Sequence, residues 1–239
     1  MKNHIKKFIS LIFIIIFIPL YSSCGSQNLF SSLTPETTKQ QAEDDINSGN
    51  YASSISLLAP YVASNPGDAE AIGMLTTSYM LLSGINLLNI MVSIQSATGS
   101  SKNNFQAILK AMPAGNATNV SLLTKAVSTI SLISVSSMNT SQSYLYAVAS
   151  ASLAILIIKQ DCLDSSGNIS TSLTNAISTT DANSIYSNLT NAQTGYTNAG
   201  VTSSSSSGSG ILANLINQIN STTGASNAAK VANYIISQE

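Results

Sequence analysis

The chain has 239 residues, enough for one sizeable core or a short repeat array and too few for two large domains. Only 8% of residues are charged, against a usual share of about a quarter, and serine, threonine and asparagine carry most of the polarity. With 44% hydrophobic residues the chain can offset its ordering entropy, which excludes disorder throughout.

Residues 1–7 carry three lysines, 8–20 are almost wholly apolar, and small residues then precede Cys24. This is the three-part layout of a secretion signal. An apolar run of about 13 residues falls short of the roughly 20 that cross a bilayer as a helix, so a removed signal is expected rather than a permanent span. The segment Leu20-Tyr21-Ser22-Ser23-Cys24 resembles the lipobox of bacterial lipoproteins, although Tyr21 stands where that family usually places leucine. The resemblance implies a signal peptide over 1–23 and cleavage before Cys24. It further implies palmitate-type acyl chains on the Cys24 thiol that hold the protein to a membrane of the bacterial cell envelope, periplasmic or surface-exposed. Each buried methylene of such a chain contributes about 0.8 kcal/mol. The alternative is an ordinary secretory signal with an incidental cysteine.

Removal of 1–23 leaves six scattered lysines (Lys39, Lys102, Lys110, Lys125, Lys159, Lys230) against ten acids, a net charge of about −4. No basic patch for nucleic acid results.

Residues 24–34 read as a short flexible tether. A helix is expected over 35–48, with Glu43, Asp44 and Asp45 near its end, then a Gly49-Asn50 turn. Apolar residues at 51, 55, 58, 61 and 62 give a helical stripe over 51–64. Asn65-Pro66-Gly67-Asp68 stops that helix and caps the next.

Gly49, Tyr51, Leu58, Tyr61 and Pro66 fall where a tetratricopeptide repeat places glycine, aromatic, apolar, small or apolar, and proline, and the segment resembles that helix-turn-helix unit. Ser54 stands where the family prefers alanine. The segment 65–84 (NPGDAEAIGMLTTSYMLLSG) looks like the start of a second unit, with Leu75 and Tyr79 at packing positions and Ser83-Gly84 at the turn. The resemblance implies helical hairpins over 35–98 that present a surface to a protein partner. It departs from the family in lacking the usual tryptophan. About three such hairpins are needed to bury their own faces, so the rest of the chain must supply more helices.

Helical spacing recurs over 103–112, 120–137, 141–160, 169–178 and 182–198, which places further helices of the same body within 99–201. Residues 202–210 (TSSSSSGSG) form a linker by composition, and 211–239 a C-terminal helical pair. No segment alternates cleanly enough to be a strand. Two stretches, 71–101 and 126–158, hold no charge at all. Buried central helices are the expected reading, membrane insertion the rival, and an apolar groove or pore a third option.

His4 is the one histidine and lies in the part to be removed, and the chain has neither arginine nor tryptophan. The mature part therefore lacks an imidazole for general base catalysis and the bidentate clamp for phosphate or carboxylate. Its acids sit mostly at expected helix ends, where capping accounts for them. Asp164, Ser166, Gly167 and Ile169 resemble the middle of an EF-hand, but Cys162 and Leu173 occupy the closing ligand positions. A helix-connecting turn capped by Asp164 is the expectation there, and neither metal nor cofactor is assigned. Asn116, Asn139 and Asn188 each begin an Asn-x-Ser/Thr triplet, as composition alone would produce.

The expected protein is all-α, a tetratricopeptide-like solenoid or bundle on a lipid anchor. It would act as a non-catalytic module binding another envelope protein. The alternative is a transporter-associated periplasmic lipoprotein with an apolar ligand pocket. No enzymatic role is expected.

Overall fold

The computed structural model describes residues 37–86, 101–201 and 217–238, with backbone alone at 101–104 and at Leu173. The signal segment, Cys24, the tether, the 202–210 linker and residues 211–216 lie outside the described residues. The helices are α1 (Thr38–Asn47), α2 (Tyr51–Ser64), α3 (Ala69–Leu82), α4 (Ser101–Ala111), α5 (Ala117–Ile130), α6 (Thr140–Cys162), α7 (Thr171–Asn175), α8 (Thr179–Asn198) and α9 (Asn227–Ile236). Residues 217–221 are also helical. Among the described residues there is no strand, only an isolated bridge between Leu163 and Ile169, so the body is all-α as expected.

Local signals set most of the boundaries. Thr37 and Gln40 form a capping box at the start of α1, and Asn139 and Gln142 form another at the start of α6. Asp68, Asn116, Ser178 and Ser226 cap α3, α5, α8 and α9 through side-chain oxygens. Gly49 and Gly84 take positive φ, 80° and 84°, just after α1 and α3, a conformation that favours glycine at a helix C-terminus.

The helices pack in chain order, α1 on α2, α2 on α3, α3 on α5, α5 on α6, α6 on α8 and α8 on α9. α6 is the axis of the body. Every residue from Tyr146 to Ile158 is buried, so this helix is enclosed on all sides. It is long and apolar enough to cross a membrane, yet 78% of its most apolar window is covered by the protein itself, as a buried central helix requires. Each fully buried leucine or isoleucine, such as Leu156 and Ile158, contributes about 1.5–3 kcal/mol. A smaller core joins Leu58, Val62, Ile72 and Leu75 of the first hairpins to Ile130 and Tyr146.

Two expected helices are shorter than their periodicity suggests. The helix expected over 120–137 begins earlier, at Ala117, and stops at Ile130, with a 3-10 turn over Val135–Ser137. Ile133, Val135 and Met138 bend onto the smaller core, and Leu132 is left 53% exposed at the break. The helix expected over 169–178 shrinks to Thr171–Asn175. Ile169 is drawn instead into the bridge with Leu163, closed by Ser170 N–H on the Cys162 carbonyl at 2.9 Å.

Candidate functional site

The first three helices are tied at one end by a polar cluster. Lys39 on α1 donates to Asp68, 3.2 Å away, and to Glu70, both at the start of α3. Tyr61 on α2 donates its hydroxyl to Asp68 Oδ2 at 3.1 Å, and Asp68 Oδ1 accepts the Ala71 N–H at 3.1 Å. The Ala71 N–H, the Lys39 ammonium and the Tyr61 hydroxyl together hold the Asp68 carboxyl below its ordinary range, against the opposing effect of burial. Deeper in the same hairpin, Ser78 donates to its own Met74 carbonyl, which leaves Ser54 as the donor in the buried 3.0 Å contact between the two hydroxyls.

With α1 and α3 fixed in this way, their outer faces and the start of α6 enclose an open groove of about 480 Å³. Ile46, Met74 and Leu145, all half-buried, give it an apolar floor, and Glu43 and Glu70 stand exposed on its walls. Gly73 lies in this lining, and a Cβ added there would meet nothing within 4 Å. Thr77 donates its hydroxyl to the Gly73 carbonyl, 2.9 Å away. On the α6 wall, Gln142 Oε1 accepts the Asn139 N–H at 3.0 Å and Asn139 Oδ1 accepts the Gln142 N–H at 2.9 Å.

A second cavity of about 380 Å³ lies between α3 and α6, lined by Met80, Leu81, Ile85, Tyr144, Leu145 and Val148, with Thr77 and Ser141 at its edge. Its walls are almost wholly apolar.

The repeat-like residues all fall in the first three helices and their turns. Gly49 makes the α1–α2 turn, Leu58 and Leu75 are buried in the smaller core, and Pro66 lies exposed in the α2–α3 turn. Tyr51 and Tyr61 are half-buried on α2. Tyr79 packs between the two cores, with the Lys125 ammonium 5.9 Å from its ring centre. None of these seven lines the groove. In the sequence Glu43 stands only as one of three acids near a helix end, and no local signal marks Ile46, Gly73, Met74 or Leu145 as groove residues.

The EF-hand-like segment folds as a capped turn. Asp164 Oδ1 accepts the N–H groups of Ser166 and Asn168, each at 2.9 Å, and Gly167 takes φ 78°. Among the described residues no three His, Cys, Asp or Glu side chains come together to hold a metal ion. Asn116 and Asn139 are helix caps, and Asn188 is buried with its amide on the Ser184 carbonyl at 2.8 Å. Cys162 is fully buried at the end of α6, and burial pushes its thiol up to about 11.

No family model matches the chain, and neither a curated protein nor a solved structure matches it.

Proposed function

We propose that the chain is a lipid-anchored envelope protein whose helical body binds another envelope protein, without catalysis, through the groove of α1, α3 and α6. The observation that carries this reading is the groove itself, an apolar floor of Ile46, Met74 and Leu145 left open beside two exposed carboxylates. The resemblance of the segment from Gly49 to Tyr79 to a tetratricopeptide repeat supports it. α1 packs beside α3 as well as α2, and the left-handed glycines Gly49 and Gly84 follow α1 and α3. The anchor rests on the lipobox-like sequence ending at Cys24.

Photo-crosslinking in cells tests the binding role. A crosslinker at Thr77, in the groove, is expected to capture one discrete envelope protein, and one at the exposed Thr124 of α5 to capture none. The same products from both sites, or none from Thr77, would sink the reading. Mass spectrometry of the native product tests the anchor: an intact Met1 end or a bare thiol at Cys24 overturns it.

The apolar cavity between α3 and α6 favours a second reading, a transporter-associated lipoprotein that carries a small hydrophobic ligand. Denaturing protein purified from its native membrane then releases a stoichiometric small molecule.

A further inference from the structure

We infer that the groove takes a cationic segment of its protein partner, a stretch with lysine or arginine next to an apolar side chain. This rests on the groove reading above and names the chemistry of the occupant.

Three observations converge on it. The charged side chains in the lining are Glu43 and Glu70, and no lysine is among them. Among the described residues both ion pairs belong to Lys39, one of them to Glu70, so Glu43 has no cation of its own. The groove thus holds more negative charge than the fold neutralises.

The acids that lead to the end of α1 are also placed where helix stability does not favour them. Glu43, Asp44 and Asp45 occupy the C-terminal half of the ten-residue α1, whose last turn holds no basic residue. The carbonyl end of a helix is already negative and prefers lysine there. Where a sequence breaks a local rule with no compensating contact among the described residues, a functional or strained site is the expected reason.

The groove floor fits the rest of such a segment. Gly73 leaves open space in which a partner chain can come close to α3, and Ile46, Met74 and Leu145 offer an apolar surface beside it. Lysine and arginine lay an apolar stem along such a surface while the charged head reaches a carboxylate. On the α6 wall the side-chain oxygens of Asn139 and Gln142 are taken up by their capping box, and Glu70 is paired with Lys39, which leaves Glu43 as the carboxylate of the lining without an ion pair among the described residues. A bound metal ion is the weaker occupant, since among the described residues no third acid, cysteine or histidine joins a ligand set here.

The test titrates three fluorescent twelve-residue peptides of equal leucine content, with lysine, glutamine or glutamate at the other positions. The protein is the chain beyond the signal segment with Cys24→Ser, and amide shifts are followed by NMR alongside the affinity. The lysine peptide is expected to bind at least about tenfold more tightly than the glutamine peptide, to weaken with added salt, and to shift the amides of Glu43, Gly73 and Met74. Glu43→Gln is expected to lower its affinity about three- to tenfold, and Gly73→Leu to abolish binding. Both variants should fold, since one removes an unpaired carboxylate and the other extends into open space. Equal binding of the glutamine peptide, binding indifferent to both variants, or no binding of the lysine peptide overturns the inference. A discrete crosslink from Thr77 in any of those cases keeps the groove as a protein-binding surface and removes only its cationic occupant.

Discussion

Gly195 on α8 and Ala147 on α6 meet backbone to backbone: a Cβ added at Gly195 would lie 2.9 Å from the Ala147 Cβ and 2.7 Å from the Ser143 carbonyl oxygen. α6 and α8 form the most extensive helix pair among the described residues, and this crossing sets their separation. Gly195→Ala must force the two helices apart and is expected to destabilise by about 1–3 kcal/mol. The same substitution at Gly73, also within a helix but facing open space, is expected to stabilise by up to about 1 kcal/mol. Urea denaturation of the two variants should give shifts of opposite sign. A shift of the same sign in both would show that helix propensity, not the α6–α8 contact, governs Gly195.

How far the sequence anticipates the structure depends on whether a boundary is local. α2 runs from Tyr51 to Ser64 as its spacing predicts, because Gly49-Asn50 and Asn65-Pro66 punctuate it on both sides. α5 ends at Ile130 with no glycine or proline nearby, because Ile133, Val135 and Met138 turn to cover the core of the first hairpins. That is a tertiary cause which periodicity cannot carry. The groove follows the same division. The acids of α1 are visible in the sequence, but that Leu145 closes a floor with Met74 depends on how α6 docks beside α3, far along the chain.

Asp161 lies in the last turn of α6, where the helix end disfavours negative charge, and its Oδ2 is buried with no hydrogen-bond partner among the described residues. Burial, reinforced by the charge of Asp181, raises its carboxyl above the ordinary range despite a hydrogen bond from Gln160. A raised folded value means the folded state holds the proton more tightly, so this group stabilises the fold as pH falls through that value. Asp161→Asn is expected to stabilise by about 1 kcal/mol at pH 7, with the gain vanishing near pH 4. A gain that is the same at both pH values would contradict the burial argument.

Asp68 behaves in the opposite sense. Its carboxyl is lowered, first by the Ala71 N–H and then by Lys39 and Tyr61. Its contribution is therefore present above the ordinary carboxylate value and is lost as pH falls through the lowered folded value. Asp68→Ala removes the cap of α3 and is expected to destabilise by about 1–2 kcal/mol at pH 7, with the difference shrinking in acid. Thermal melts of variant and parent across pH 2–7, a range set by ordinary carboxylate titration, check both direction and window.

Lys159 closes α4 from a distance in sequence. Its ammonium donates to the carbonyls of Leu109 and Met112 at 2.9 and 2.7 Å, and Gly115 lets the following loop press against the backbone at Gln160. Lys159→Met keeps the stem and leaves both carbonyls without this donor, an expected loss of about 1–3 kcal/mol. Hydrogen exchange should show the loss concentrated in α4. Uniform loss of protection across α6 and α8 would instead assign Lys159 to the packing of the central helix.

Cys162 offers a thiol count that bears on the anchor. It is fully buried, and burial raises its thiol to about 11, with Asp161 adding to the rise and the Thr174 hydroxyl opposing it. At pH 8 the thiolate fraction is then about two orders of magnitude below that of an ordinary cysteine, before any barrier to access is counted. Labelling with a disulfide reagent should be very slow in the folded protein and track unfolding as denaturant is added. Fast labelling of the folded Cys24→Ser chain would contradict the burial of this residue. In full denaturant, the product purified from its membrane should titrate one thiol if Cys24 carries lipid and two if it remains bare, so one chemical count separates the acylated chain from one with a free Cys24 thiol.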